Sequence, residues 1–414
     1  MTEPYPNRRI GPSSENTRSA ILDMIRSSDV VSRIELAEMS GLTGASITRI
    51  VKSLIADGLV LETGFGDSTG GKRPTLLALN RRARYAVGIS LDDARVTFVV
   101  TDLSGAMVGR LVSHGIEGTR PSDVIQRVAG ELDDLLTELE IDRSDVVGIG
   151  VAGAGLDIRN RAERVSVNAD EWESFAVSES LEAATRLPVV RENDAACAAL
   201  GQFWAGRIPA TQDFATVYMA TGFGCGVMVQ GALSRGASSN VGEIGHMVLQ
   251  ADGGPECWCG SHGCLEMLAA PRSVVKRAME SADGVADDLG LSGGEDHLRQ
   301  DFASIARAAV NGDQRCVALI EESARYLALA LLSLVNALDF DRLYLAGPGF
   351  AEAGAIYLRT ARETLSRLAR TRHLHDVDVL LSDPILDPAA VGAATLALQQ
   401  ALTPHVRPFR AAAV

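Results

Sequence analysis

"YAVGISL" (85–91), "RVTFVVTDL" (95–103) and "GAMVGRLV" (105–112) are three short apolar runs separated by tight turns. "FATVYMA" (214–220), "GCGVMVQ" (224–230) and "GALSRGA" (231–237) repeat the same opening much later in the chain. Runs of this length, bounded by Gly or Asp, read as strands. The first set is followed by a helical pattern around 122–139 and the strand "DVVGIGVAG" (145–153). The second set leads through helices to "RLYLAG" (342–347). Two copies of a β-β-β-α/β unit predict an α/β body of two similar lobes, with a cleft between them as the default place for a small ligand. The polar, acidic run 280–301 reads as a loop or flexible insertion.

A segment of different character precedes the body. From Asn16 the pattern is helical, with Ile21, Leu22 and Ile25 at core-facing spacing. In "SRIELAEMSGLTGASITRIVKSLIADGLV" (32–60), Ser32 and Glu35 form a capping box, and Leu36, Ala37 and Met39 supply an apolar side. Gly41 breaks that helix. Thr43 is a good N-cap for a second one, whose Ile47, Ile50, Val51 and Leu54 form one stripe ending at Gly58. Two short helices about a Gly-containing turn match the helix-turn-helix. The polar face of the second helix carries Thr43, Ala45, Ser46, Thr48, Arg49 and Lys52, small near the N-terminus where bases would lie and basic further along. "LVLET" and "RPTLLALN" flank "GFGDSTGGK" (64–72), a hairpin that makes a wing, with Lys72 and Arg73 at its base in reach of a minor groove. A small helical dimerisation module with solvated charges is the plainer alternative.

Charge follows this division. Residues 1–84 hold twelve Lys/Arg against nine Asp/Glu, and the remainder holds 27 against 44. A mildly basic head on an acidic body is compatible with a polyanion partner for the head. No run approaches the length of a membrane span, and "MTEPYPNRRIGPSSEN" has no signal-peptide core, so a cytoplasmic protein is expected.

That compartment bears on "PECWCGSHGCLE" (255–266), which holds three of the chain's six cysteines. Reduced thiols in a C-x-C-x4-C pattern, Cys257, Cys259 and Cys264, favour a metal over a disulfide. A redox pair would call for Cys-x-x-Cys, which is absent. Cys197, Cys225 and Cys316 are scattered and read as buried small apolar residues.

Taken together, the helix-turn-helix head, the doubled lobe, "VGEIGH", "CWCGSHGC" and "END" resemble the ROK family (repressor, open reading frame, kinase), over about Asn16 to Leu402. The resemblance implies a two-lobed actin-like (ribonuclease H-like) sugar-kinase fold preceded by a winged helix-turn-helix. The domain plan is then an arm at 1–15, the head at 16–84, the ligand-binding body at 85–403 and a tail at 404–414. It implies His246 as the fourth ligand of a structural Zn2+, although His262 is nearer in sequence. It also implies sugar contacts from Gly153, Asn168, Asn193, Asp194, Glu243, His246 and Glu266. Asp194 matches the family's catalytic base, although either Asn193 or Asp194 could instead only cap the helix that starts there.

The nucleotide side departs from the family. Its kinases open the first lobe with an Asp-x-Gly-Gly-Thr-Lys-like turn, where glycines let backbone N–H groups approach phosphates. Here "GISLDDAR" (88–95) puts Ser90 at the first Asp and Asp92 and Asp93 at the glycines, and two carboxylates would repel a polyphosphate. "ATGFGCG" (220–226) and "LAGPG" (345–349) do not restore the site, and no P-loop is present. The expected protein is therefore a repressor of carbohydrate genes. It would bind operator DNA as a homodimer or tetramer and take a sugar or sugar derivative as effector, with no catalysis and Asp194 as a vestigial base. An ATP-dependent sugar kinase with an appended DNA-binding head is the rival, and control by a protein partner a third possibility.

Overall fold

The computed structural model describes residues 14–66, 73–92, 94–116, 118–153, 172, 175–206, 208, 212–238, 240–294, 297–383 and 387–402. The head is built by local signals. After a first helix, Ser14–Ser27, and the short strand β1 (Val31–Ser32), the helix Arg33–Ser40 starts at Ser32, whose Oγ accepts from the Glu35 N–H while the Glu35 carboxylate accepts from the Ser32 N–H at 2.7 Å. Those bonds, the backbone one foremost, hold the Glu35 carboxyl below its ordinary pKa. Gly41 closes the helix at φ 69°, a left-handed cap that a Cβ would strain. The helix Gly44–Ala56 follows, and its stripe Ile47, Ile50, Val51 and Leu54 is buried against Ile21 and Ile25. Strands β2 (Val60–Phe65) and β3 (Thr75–Leu79) complete a sheet of order β1-β3-β2. One expectation fails: Met39 is 53% exposed, because the eight-residue helix has room for one buried position, Leu36.

The body contains the expected duplication. Strands β4 (Tyr85–Leu91), β5 (Arg95–Asp102), β6 (Met107–His114), β7 (Val146–Gly153) and β8 (Val189–Asn193) form one sheet of order β6-β5-β4-β7-β8. Strands β9 (Phe214–Met219), β10 (Phe223–Val229), β11 (Ala232–Leu233), β12 (Arg342–Ala346) and β13 (Asp378–Leu381) repeat it as β11-β10-β9-β12-β13. In both, the first three strands are antiparallel and the last two join in parallel. A parallel partner needs a crossover, which explains the helix Pro121–Glu138 before β7 and the helical stretch before β12. Strands β4, β5 and β7 are buried almost throughout, as central strands covered on both faces must be.

Each sheet's last strand precedes a helix that packs on the other half. The helix Asp194–Ala205, directly after β8, lies against β9 and β10, while the helix Pro388–Leu402 lies across β4, β5 and β7. The two helices cross at glycines. A Cβ at Gly201 would sit 2.1 Å from the Pro388 carbonyl oxygen, and one at Gly392 would sit 1.7 Å from that of Cys197. Any side chain there would drive the pair, and with it the lobes, apart.

The second lobe adds a helical layer, Pro271–Glu280, Leu298–Val310, Gln314–Leu338 and Gly354–Leu368, over a continuous apolar core. The run 280–301 is more ordered than its polarity suggests. It includes the helix Val285–Leu289 with Val285 fully buried, and the buried Asp301 carboxylate accepts from the N–H groups of Ser292 and Gly293. Acidic residues cover its outer face, so composition concealed the anchors.

Candidate functional site

The helix Gly44–Ala56 and its N-cap present Thr43, Ala45, Arg49 and Lys52 to solvent, with Ser46 and Thr48 half-buried beside them. Thr43 Oγ accepts from the Ser46 N–H at 3.3 Å, and Thr48 Oγ donates to the Gly44 carbonyl at 2.8 Å. Thr43 and Thr48 therefore serve helix geometry, leaving Ala45, Arg49 and Lys52 as the open surface. Arg73 is exposed just before β3, and Lys72 lies outside the described residues.

Between the lobes is a cleft of about 580 Å³, lined by Asn193, Asp194, Glu243, His246 and Glu266 among others. β8 ends where the helix Asp194–Ala205 begins, so Asn193 and Asp194 face the cleft from a helix N-terminus. The Asn193 side-chain oxygen caps that helix, accepting from Ala195 N–H at 2.9 Å and Ala196 N–H at 3.3 Å. Capping and cleft lining thus coexist in one residue, with the amide NH2 left to donate. Burial pushes the Asp194 carboxyl up to about 6, opposed by the Ala195 N–H it accepts from and reinforced by nearby Asp92 and Glu243. Its surface still reaches the cleft, so the carboxylate is enclosed by protein yet open to a ligand. Glu266 accepts from the Phe223 N–H at 3.0 Å, and a Cβ on Gly222 would come within 2.3 Å of its carboxylate. That fit explains the glycine in "ATGFGCG".

Gly153 ends β7 in register with Asn193, beside the cleft but not among its lining residues, and Asn168 lies outside the described residues. Sequence reasoning missed Tyr218, Thr221, Glu256, Trp258 and Arg272, which also line the cleft. Only Trp258 carried a signal, its place between two cysteines.

The metal-ligating group is His246, Cys257, Cys259 and Cys264, whose ligand atoms all lie within 4.8 Å of one another. Cys257 Sγ is 3.7 Å from His246 Nδ1, and Cys259 Sγ is 3.7 Å from Cys264 Sγ. Burial holds the imidazole pKa below its ordinary value, against the pull of Glu243, which favours the neutral ring that ligates metals. His262 is exposed and stands outside the group. The short helix Ile244–His246 and the loop 255–264 meet through the β-bridge between Val248 and Cys264. This donor set can therefore clamp the segment bearing Glu243 to the one bearing Glu266.

The first-lobe turn reaches the other lobe. The Asp92 carboxylate forms an ion pair with Arg299 of the helix Leu298–Val310, across the two lobes. Asp92 also accepts from the Ala94 N–H at 3.1 Å, and Asp93 lies outside the described residues. A second tie joins Arg235 to Glu192 at 2.6 Å. A cavity of about 140 Å³ beside Arg299 is bounded by Leu298, Phe302, Pro348 and Gly349.

Head and body share one apolar cluster, in which Ile21, Leu22 and Ile25 meet Phe203, Trp204 and Leu398. The Arg26 guanidinium lies 3.7 Å from the centroid of the Trp204 ring, and Ser19 Oγ donates to the Leu402 carbonyl at 2.6 Å. The helix that begins in the cleft at Asp194 therefore ends under the first helix of the head.

A duplicated two-lobed body with a Cys3His group beside its cleft, carrying a winged helix-turn-helix, defines a class that comparison with known proteins identifies. The ROK family profile matches residues 86–400, and a winged helix-turn-helix DNA-binding profile matches residues 15–60. The chain belongs to the ROK family. It is 25% identical to the xylose repressor of Bacillus spizizenii over 92% of this chain and 94% of that one. Among solved structures, a ROK family transcriptional regulator described as a homologue of the Escherichia coli MLC protein superposes with a TM-score of 0.72 at 21% identity, covering 94% of this chain and 98% of that one. A ROK family glucokinase from Streptomyces griseus, in complex with glucose and AMPPNP, reaches 0.60 at 26% identity, covering 76% and 99%.

Proposed function

We propose that the protein is a cytoplasmic, sugar-responsive DNA-binding repressor of carbohydrate genes. The head reads an operator through Ala45, Arg49 and Lys52, with Thr43, Ser46, Thr48, Lys72 and Arg73 at the margin. The body takes a sugar or sugar derivative against Asn193, Asp194, Glu243, His246 and Glu266. No helix among the described residues is long and apolar enough to cross a membrane. The carrying observation is the helix Asp194–Ala205, which has a cleft carboxylate at its first turn and Trp204 beneath Arg26 at its last. A ligand that moves Asp194 moves the seat of the head. It can do so only by binding two arrangements unequally. In a symmetric dimer or tetramer the two head helices would then lose the spacing of the operator half-sites.

His246, Cys257, Cys259 and Cys264 would hold a zinc ion. Metal–sulfur bonds of about 2.3 Å in a tetrahedron give edges of about 3.8 Å, close to the 3.7 Å separation of Cys259 and Cys264. Three thiolates and one imidazole make a closed structural shell, and a metal held there would supply rigidity rather than chemistry. The kinase reading has Asp194 and the glucokinase likeness in its favour, but Asp92, paired with Arg299, stands where phosphate needs an open backbone.

The test is operator release. DNA enriched from a random pool by the protein itself is titrated with and without D-xylose, D-glucose and N-acetyl-D-glucosamine. One of these should weaken operator binding, and operator should weaken that sugar by the same factor. If no sugar shifts the operator affinity or the melting temperature, the reading fails. The double change Arg49→Ala/Lys52→Ala should reduce the slope of log affinity against log salt by about two.

A further inference from the structure

Trp258 stands between two ligands of the metal group, Cys257 and Cys259, and 46% of it is exposed. It lines the same cleft as Asp194 and Glu266. Its ring meets the His246 ring at 4.5 Å between centroids with planes at 86°, an edge contact that leaves the rest of the indole open. The turn that carries it is fixed by the Cys257 N–H, which donates to the Ser261 carbonyl at 2.8 Å, and by the Gly260 N–H, which donates to the Cys257 carbonyl at 2.9 Å; a metal on Cys257 and Cys259 would hold it further. A large aromatic surface held open inside a cavity marks a binding face. Elsewhere the cleft is lined by carboxylates, Asp194, Glu243, Glu256 and Glu266, against the single guanidinium of Arg272. Carboxylates accept from hydroxyls, but in a partly enclosed site they repel a phosphate dianion.

A cyclic sugar has both complements, a rim of hydroxyls and a face of C–H groups. We propose that Trp258 is the platform on which the C–H face of an uncharged cyclic sugar stacks, and that the surrounding carboxylates exclude sugar phosphates. The inference rests on the sugar-binding reading above and names the ligand class for it. Trp258 and the carboxylates divide the work: the indole covers apolar carbon, and the acids fix the hydroxyl pattern.

The experiment is calorimetric titration of the full chain with D-xylose, D-glucose, N-acetyl-D-glucosamine and glucose 6-phosphate, with metal content measured in every preparation. Covering about 50 Å² of apolar surface corresponds to an affinity loss of roughly tenfold in Trp258→Ala. The neutral sugar should also change the tryptophan emission of the wild type, and most of that change should be lost in Trp258→Phe, leaving only what Trp204 reports from its place beneath Arg26. Glucose 6-phosphate should bind at least ~10-fold more weakly than the best neutral sugar. A metal-replete Trp258→Ala within about twofold of wild type overturns the platform, since twofold lies far below the expected loss. So does an emission change that is undiminished in Trp258→Phe, which decides the matter even if the alanine variant loses its metal. A phosphate ester that binds as well as the neutral sugar overturns the ligand class. If no neutral sugar binds the wild type at all, the sugar-binding reading itself fails and takes this inference with it.

Discussion

The two lobes place a turn at the same topological point, between the first and second strands of each sheet, and have done opposite things with it. In the first lobe the turn from Leu91 to Arg95 puts Asp92 into an ion pair with Arg299 on the other lobe. In the second, the turn from Met219 to Phe223 keeps Gly222 bare, so that Glu266 can lie against it and accept from the Phe223 N–H. One turn has become a tie between lobes, and the other remains a backbone cradle for a cleft carboxylate. A duplicated fold can thus put equivalent turns to different structural use, because the contacts each turn makes are set by what lies beyond its own sheet.

The largest test of this contrast strikes the second-lobe side. Cys264→Ser removes a fully buried ligand, so metal content should fall from about one per chain towards none, and stability by several kcal/mol. Sugar binding should disappear with it, while the Asp92–Arg299 tie stays. Elemental analysis beside calorimetric melting reads both effects, and retained metal would remove the Cys3His shell from the account.

Asp194 gives the next effect, through pH. A sugar hydroxyl donating to it requires the carboxylate, so with a pKa of about 6 the affinity should fall through that value, by about tenfold at pH 5. Asp194→Asn should bind weakly at every pH. The raised pKa also means that wild-type stability is fullest below the ordinary carboxylate range and declines as pH rises to about 6. Asp194→Asn should therefore be more stable than wild type by up to ~3 kcal/mol at pH 7.5, a gain that is gone below pH ~4. A flat wild-type binding profile from pH 5 to 8 would remove Asp194 from the site.

The first-lobe tie should yield the smallest effect. The two side chains are 23% and 20% exposed, so Arg299→Met should cost about 1–2 kcal/mol, and adding Asp92→Asn should recover part of it. A double-mutant cycle with no coupling would mean that the Asp92–Arg299 pair does not tie the lobes.

Much of this was readable along the chain because the signals are local. The Ser32–Glu35 capping box and the Gly41 cap act within four residues. The three cysteines lie within eight positions, and the six short strands announce the duplication. Met39 misled because a side chain's period does not say whether anything arrives to cover it. The reading of 280–301 as a loop misled because its anchors, Val285 and Asp301, are few among many polar residues.

The amino-acid order by itself determined the strand and helix periods, the caps and the cysteine spacing, since each depends on contacts within one or two turns of chain. Only the tertiary structure decided which distant groups meet. Asp92 finds Arg299 across 207 positions, Trp258 is left open over the cleft, and Trp204 lies beneath Arg26. Those pairings depend on two sheets folding alike and two helices crossing at Gly201 and Gly392, a close packing that no local pattern encodes.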